Sequence, residues 1–379
     1  MEKKIKILSM APKLQLFLII FTSFQAVINS TGNCKKLPKP AALFIFGDSY
    51  FDPGNNNYIN TIDLDRANFL PYGETYFHQP TGRFSDGRLI PDFLAEIAKM
   101  PLISPYLQPN RSQHVAQYRG VNFASGGAGT LSKTFKGTVI DLSTQLKYYK
   151  REVSELSRRR GSAKAAIISR TAVYLFSIGT NDYISPFLLN STTFQSYSHS
   201  QYVEMVIGNL TVVVKAIYGR GGRKFVFLNL GDLGCLPGLR ILKLETDGGG
   251  CLEEATDLAK LHNKALNELL PRLAKQLHGF RYFLYDFNSN LAQRTTQPSE
   301  YGFSEGIKAC CGTGRFNGVF SCGGKRPVKE FDLCENPNEF VFWDSYHLTE
   351  RVYKQMADQM WSINATIVPN SLKRLFQCF

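Results

Sequence analysis

After its first thirty residues the sequence has no uninterrupted apolar run near the roughly 20 residues that a membrane-spanning helix needs. Even the longest run, Leu14 to Phe24, covers only eleven positions. Metal-ligand spacing is also missing. No C-x-x-C pair occurs and no cysteine has a histidine close by, so no zinc site or other metal is expected. Internal repeats, low-complexity tracts and a recognisable linker are absent, which excludes solenoids and favours one domain. Acidic residues are short, 31 against 44 Lys and Arg, leaving a formal charge of +13. That excess raises nucleic acid as a partner. However, the one basic run, Arg158-Arg159-Arg160, stops at Gly161 and reads as a helix C-terminus, where cations complement the dipole and glycine caps. No nucleic-acid partner is expected, and attraction to an anionic wall polymer or membrane surface is the more natural use of the charge.

At the N-terminus, Lys3, Lys4, Lys6 and Lys13 precede the apolar run, and small or polar residues follow it, the pattern of a secretory signal peptide. It is expected over residues 1–30, with cleavage near Ala26 to Thr31, and its loss would leave a net charge of +10. All eight cysteines, Cys34, Cys235, Cys251, Cys310, Cys311, Cys322, Cys334 and Cys378, lie beyond it, an even count that suits disulfides in an oxidising compartment. Short loops would be closed by Cys235 with Cys251, and by bridges within the Cys310, Cys311, Cys322 and Cys334 set, whose internal pairing the spacing leaves open. Sequons at Asn110, Asn190, Asn209 and Asn364 are glycosylation candidates in a secreted, extracellular protein of the cell wall or apoplast.

Five short apolar runs, Ala42 to Phe46, Val121 to Ala124, Ala172 to Ile178, Lys224 to Leu230 and Arg281 to Asp286, read as buried strands. Between them, Pro91 to Ala98, Leu146 to Leu156, Tyr202 to Tyr218 and Leu258 to Leu277 carry helical periodicity. The alternation predicts an α/β domain with a central parallel sheet over residues 31–379, with a cysteine-rich insertion near 309–334.

Functional atoms in such sheets lie beyond the carboxyl ends of the strands. The first strand ends at Phe46, and Gly47-Asp48-Ser49 opens a loop in which Asp52, Pro53 and Gly54 turn and Asn55, Asn56 and Asn57 offer amides to irregular backbone. A serine nucleophile there needs a base with an orienting acid. Of six histidines, His347 alone has a matched acid nearby, Asp344, three positions before it and ahead of a C-terminal helix. Donors for an oxyanion are offered at two further strand ends, Asn122 to Gly129 and Gly179-Thr180-Asn181-Asp182, although the glycines can equally serve a tight turn and Asn181-Asp182 a helix cap. Gly127-x-Gly129-x-x-Ser132 lacks the third glycine of a dinucleotide loop. Gly302-Phe303-Ser304-Glu305-Gly306 matches G-x-S-x-G, but the polar, proline-bearing segment before it is no buried strand.

Taken together and in order, Gly47-Asp48-Ser49 with Asp52 and the three asparagines, Asn122 to Gly129, Gly179 to Asp182, and Asp344-x-x-His347 resemble the motif blocks of plant-type GDSL esterase/lipases, members of the SGNH hydrolases. The resemblance spans about residues 41 to 362. It implies a three-layer, flavodoxin-like SGNH hydrolase fold, Ser49 as nucleophile, His347 as base and Asp344 as its partner. The oxyanion donors it implies are Ser49, Asn181 and a glycine of the second block, taken as Gly127 rather than Gly126 from its offset after Asn122. The implied activity is hydrolysis of small-molecule or lipid acyl esters without a cofactor. Acyl transfer to an alcohol and a silent binding protein are the rival readings. Tyr50 stands where the family name has Leu, and Leu348 where many plant members have Pro. Gly82 to Arg88 and Ala309 to Gly312 also resemble the plant branch and are read as structural.

Overall fold

The computed structural model describes residues 42–109, 118–243, 248–363 and 371–378. Five parallel strands, β1 Leu43–Gly47, β2 Gly120–Asn122, β3 Val173–Ser177, β4 Lys224–Leu228 and β5 Arg281–Tyr285, form one sheet in the order β2-β1-β3-β4-β5. This is the flavodoxin-like order, in which the chain reverses direction of travel between β1 and β3. Each strand sits where its apolar run predicts. Phe44, Tyr174 and Phe225 lie in register across β1, β3 and β4, as do Phe46, Phe176 and Phe227. Because side chains alternate between faces, these rings share one face and stack with centroids 4.9 to 5.4 Å apart, while Leu43, Ile45, Leu175 and Val226 occupy the other.

Helices α1 Ile90–Ile97, α2 Leu142–Arg160, α3 Ser162–Thr171, α4 Thr180–Leu188, α5 His199–Gly219, α6 Glu253–Gln276, α7 Phe287–Thr296, α8 Glu350–Ser362 and α9 Leu372–Gln377 flank the sheet. All but α7, which packs on the strand Glu305–Ala309, fall in two groups, α1 and α9 on α8, and α3 and α5 on α2 with α4 and α5 on α6. Tyr149 of α2 meets Phe44, Phe46 and Tyr174 edge-on, which assigns the second group to the aromatic face. Helix α2 ends as its sequence predicts, with Gly161 at φ 83° donating its N–H to Ser157. One helix corrects the reading that only the N-terminal run nears membrane-spanning character. Helix α5 is long and apolar enough by length and composition. Its Tyr202, Val206, Leu210, Val213, Val214 and Ile217 are buried in the core against α6, so its apolarity serves packing.

The cysteine-rich segment adds two small sheets. Strand β6 Glu305–Ala309 pairs parallel with β9 Phe340–Phe342, and β7 Cys311–Gly312 pairs antiparallel with β8 Asp332–Leu333. Disulfides join Cys310 to Cys334, Cys311 to Cys322 and Cys235 to Cys251, as the loop spacings suggest. Cys378 is also bridged, and Cys34 lies outside the described residues. So do the signal-peptide segment and the sequons at Asn110 and Asn364.

Candidate active site

The end of β1 is built to leave the sheet. A Cβ on Gly47 would stand 2.4 Å from the Ser177 carbonyl, so only glycine lets β1 and β3 finish this close together. On the other side, beyond the end of β2, the Gly47 N–H donates to the buried Gln145 Oε1 at 3.0 Å, and its C=O accepts from Gln145 Nε2 at 2.8 Å and from the Ser125 N–H at 3.1 Å. The Asp48 carbonyl then accepts from the N–H groups of Phe51 and Asp52, closing a turn with Ser49 at its apex. The residues that follow hold this turn against the loop after β2. Asp52 accepts from Gly54 and Asn55 through Oδ1 and from Gly126 through Oδ2, at 2.8, 2.6 and 2.9 Å. Burial pushes its carboxyl up to about 6, against the lowering by the N–H groups of Gly126, Gly54 and Asn55. Asn55 donates to Asn122 and Ala124, and Asn56 to Asp65 and Gly126. The asparagines fix irregular backbone by their amides, as their chemistry suggested.

Ser49 Oγ lies 2.7 Å from His347 Nε2, and His347 Nδ1 lies 2.7 Å from Asp344 Oδ1. His347 and Asp344 both come from the loop between β9 and α8, His347 lying 298 positions from Ser49 in the chain. That loop is tight because Trp343 donates its N–H to the His347 carbonyl, and the N–H groups of Tyr346 and His347 both donate to Asp344 Oδ1. Asp344 is fully buried and His347 nearly so. Burial alone would raise the Asp344 carboxyl. The charge and hydrogen bond of His347, the charge of Arg326 and the Tyr346 N–H outweigh it and hold the group at about 2. Asp344 therefore stays ionised across the working pH range and can stabilise a cationic imidazole.

Both proposed backbone donors are open. Gly126 spends its N–H on Asp52, whereas the N–H groups of Gly127 and Ser49 have no acceptor among the described residues. Gly127 adopts φ 77°, and a Cβ there would stand 2.8 Å from Asp65 Oδ1 and Val139 Cγ1. Asn181, in the first turn of α4, gives one amide proton to the Ala128 carbonyl at 3.0 Å and keeps the other. Its neighbour Asp182 accepts from the N–H groups of Thr130 and Leu131 and from the Thr134 hydroxyl, binding the glycine loop to the start of α4. The site thus lies at the carboxyl ends of β1, β2 and β3, where the strand order reverses.

Four contributors are not assigned a part in the site by the sequence. Tyr72 donates its hydroxyl to Asp344 Oδ2 at 2.7 Å. Tyr50 donates to the Tyr346 carbonyl at 2.9 Å and sets its ring edge-on to His347. The Phe84 ring lies 4.8 Å from the His347 ring, so the Gly82 to Arg88 segment lines the site while offering no donor. Arg326, fully buried, stacks on Phe320 at 3.8 Å and donates to the Cys322 and Arg66 carbonyls. Ser304, by contrast, is exposed beside β6, with no histidine partner among the described residues. His262 is a core residue, bonded through Nδ1 to Tyr183 at 2.9 Å and pushed down to about 3 by burial. No group of three or more metal-ligating side chains occurs among the described residues.

A family model described as GDSL-like lipase/acylhydrolase matches residues 43–360. The chain belongs to this family. It is 54% identical over 342 residues to GDSL esterase/lipase 5 of Arabidopsis thaliana, covering 89% of this chain and 87% of that one. It is 46% identical over 370 residues to GDSL esterase/lipase 1 of the same plant, covering 96% and 98%. Among solved structures, a putative GDSL-like lipase from Parabacteroides merdae covers 85% of this chain and 94% of its own, at 15% identity and a TM-score of 0.35. The GDSL family is one of carboxylic ester hydrolases, and the fold and enzyme class expected from the motif blocks stand. In this GDSL protein the fourth letter is Tyr50, whose hydroxyl reaches across to the loop that carries His347.

Proposed function

We propose that the protein is a secreted serine esterase that hydrolyses acyl esters of small molecules or lipids through Ser49, His347 and Asp344. The observation that carries this reading is the continuous relay from Ser49 Oγ through both nitrogens of His347 to Asp344, each step at 2.7 Å. In the proposed reaction His347 Nε2 removes the Ser49 proton as Oγ attacks the ester carbonyl, and Asp344 holds the tautomer and balances the imidazolium. The tetrahedral oxyanion is met by the Ser49 and Gly127 N–H groups and the remaining amide proton of Asn181, donors already fixed by Asp52 and Asp182. His347 returns its proton to the leaving alkoxide, and water then repeats the sequence on the acyl-enzyme.

Secretion is supported by the N-terminal pattern and by the bridges Cys235–Cys251, Cys310–Cys334 and Cys311–Cys322, since reducing compartments disfavour such bonds. Of the two described sequons, Asn190 occupies an exposed turn after α4, while the Asn209 amide is held by the Thr130 carbonyl, so Asn190 is the better acceptor. The proposal is tested with a fluorophosphonate probe, which reacts only with an activated serine, followed by peptide mass spectrometry. Label on Ser49 is expected. Folded protein that takes no label would instead be a silent binder. A labelled protein that forms more ester than free acid when alcohol is added in water would be an acyltransferase.

A further inference from the structure

At the amino ends of the strands, the edge of the sheet away from Ser49, Lys and Arg side chains gather. Val173, Lys224 and Arg281 are aligned there in register. The segments 162–171, 219–224, 275–281 and 371–378 carry nine Lys and Arg and no Asp or Glu. The first three lead directly into β3, β4 and β5. The fourth, which contains α9, is fastened to them by Lys224 Nζ, which donates to the Thr171 and Cys378 carbonyls. A cavity of about 440 Å³ opens among them, lined by Arg170, Tyr218, Arg223, His278, Gly279 and Arg281.

The cations are positioned as well as concentrated. Arg223 lies over the Tyr218 ring at 4.0 Å and gives Nη1 to the carbonyls of Tyr218 and Gly222, which fixes the guanidinium plane. Its Nε and Nη2 have no acceptor among the described residues. Tyr218 is itself held by its hydroxyl on the His278 carbonyl. The cations also press on one another. Burial first, and then the charges of Arg374 and Arg170, hold Arg281 below its ordinary value, while burial and the charge of Arg281 bring Lys224 down to about 7. Gathering like charges in one concavity works against folding, and its counterpart is a focused positive potential that favours anions. Planar guanidinium forks match the oxygens of phosphate and sulfate.

We infer that this basin is a binding site for a small ligand bearing two or more phosphate or sulfate groups. Arg170 and Arg223 on one cavity, with Arg281 in its wall, suit a polyvalent oxyanion better than a lone carboxylate. The cavity admits a compact group of that kind, whether free in solution or presented as a lipid headgroup. A strand of five residues, about 17 Å, separates it from Ser49, so occupancy does not require the proposed esterase chemistry.

The test titrates the full mature chain with sodium pyrophosphate by calorimetry at constant ionic strength, because exposed charges are screened by salt. The Arg170→Gln/Arg223→Gln protein is compared with a Lys308→Gln/Lys329→Gln control, which removes the same charge from exposed positions elsewhere. Saturable one-to-one binding with a Kd below about 1 mM is expected. It should weaken about tenfold or more in the arginine variant and stay within about twofold in the control. Absence of saturation at several-fold higher pyrophosphate, or equal weakening in both variants, overturns the site and leaves only diffuse charge. Arg170→Glu alone serves if loss of the Arg223 bonds impairs folding. Flotation with phosphatidylcholine vesicles containing phosphatidic acid separates the sources. Capture that pyrophosphate displaces and the arginine substitutions abolish assigns the headgroup, and binding of free pyrophosphate without capture assigns a soluble ligand.

Discussion

Tyr72 donates its hydroxyl to Asp344 Oδ2 at 2.7 Å, so the carboxylate that faces His347 is gripped from behind by a buried phenol. Burial, chiefly, raises the Tyr72 hydroxyl well above its ordinary value, which keeps it a neutral donor at every working pH. Hydrogen bonds to charged groups contribute about 1.5–3 kcal/mol. Tyr72→Phe is therefore expected to lower kcat on p-nitrophenyl acetate about tenfold or more, with KM little changed. A change confined to KM would mean that Tyr72 serves the pocket and not the carboxylate.

Tyr50 braces the same loop from the serine side. Tyr50→Phe removes the bond to the Tyr346 carbonyl but keeps the ring, whereas Tyr50→Leu also loosens the packing against Phe287, Tyr353 and His347. The expected order of kcat is wild type, then Phe by a few-fold, then Leu, with melting temperature following the same order. Leu variants as active as wild type would show that the loop is held without Tyr50.

Ser49→Ala should reduce hydrolysis by about a thousandfold or more with the fold intact, and Asp344→Asn by about ten-thousandfold, because the wrong imidazole tautomer is then favoured. Ser304→Ala should leave kcat unchanged. Steady-state assays on p-nitrophenyl esters decide it, and an inactive Ser304→Ala beside an active Ser49→Ala would transfer the nucleophile to the G-x-S-x-G segment.

Stability should fall as pH rises from about 4 to about 8. Burial, with the Asp182 charge adding to it, pushes Asp48 up to about 8, and burial brings Asp52, Asp65 and Asp86 to about 6. Between the unfolded carboxyl value and these, the folded chain holds protons that the unfolded chain has released, so raising pH favours unfolding. Lys224, lowered to about 7, acts in the opposite sense above neutrality, and Asp344 near 2 is ionised throughout the window. Asp48→Asn should flatten the decline between about pH 6 and 8 in thermal melts. A wild-type slope in that variant would refute the assignment to Asp48.

The strands were legible because each needs only a few buried residues in a row, and the ring-aliphatic alternation of Phe44 to Phe46 and Tyr174 to Phe176 survives without context. Ser49, Asn181, Asp344 and His347 could be named as candidates because each sits in a short stretch whose spacing has a chemical meaning, and the structure brings Ser49, His347 and Asp344 into contact. Helices α3 and α7 were not, since much of their surface is exposed and the apolar periodicity is weak. Tyr72, Phe84 and Arg326 escaped for another reason. Tyr72 meets its carboxylate across 272 positions, and nothing near it in the chain distinguishes it from an ordinary core tyrosine. That Gly126 gives its N–H to Asp52, which favours Gly127 as the proposed donor, likewise depends on a contact over 74 positions.

Cys310 and Cys311 place their N–H groups on the carbonyls of Phe342 and Trp343, the two residues that deliver Asp344. The cystines anchored at those positions thus underlie β9 and the start of the loop that carries His347, the proposed base. Oxidation is on this proposal expected to act as a maturation step: a chain whose thiols remain reduced should keep Ser49 on an intact β1 while the proposed base loses its fixed position. Gentle dithiothreitol treatment should accordingly abolish fluorophosphonate labelling before the far-ultraviolet circular dichroism of the main sheet and helices is lost. Coincident loss of both signals would instead make the bridges guardians of the whole domain.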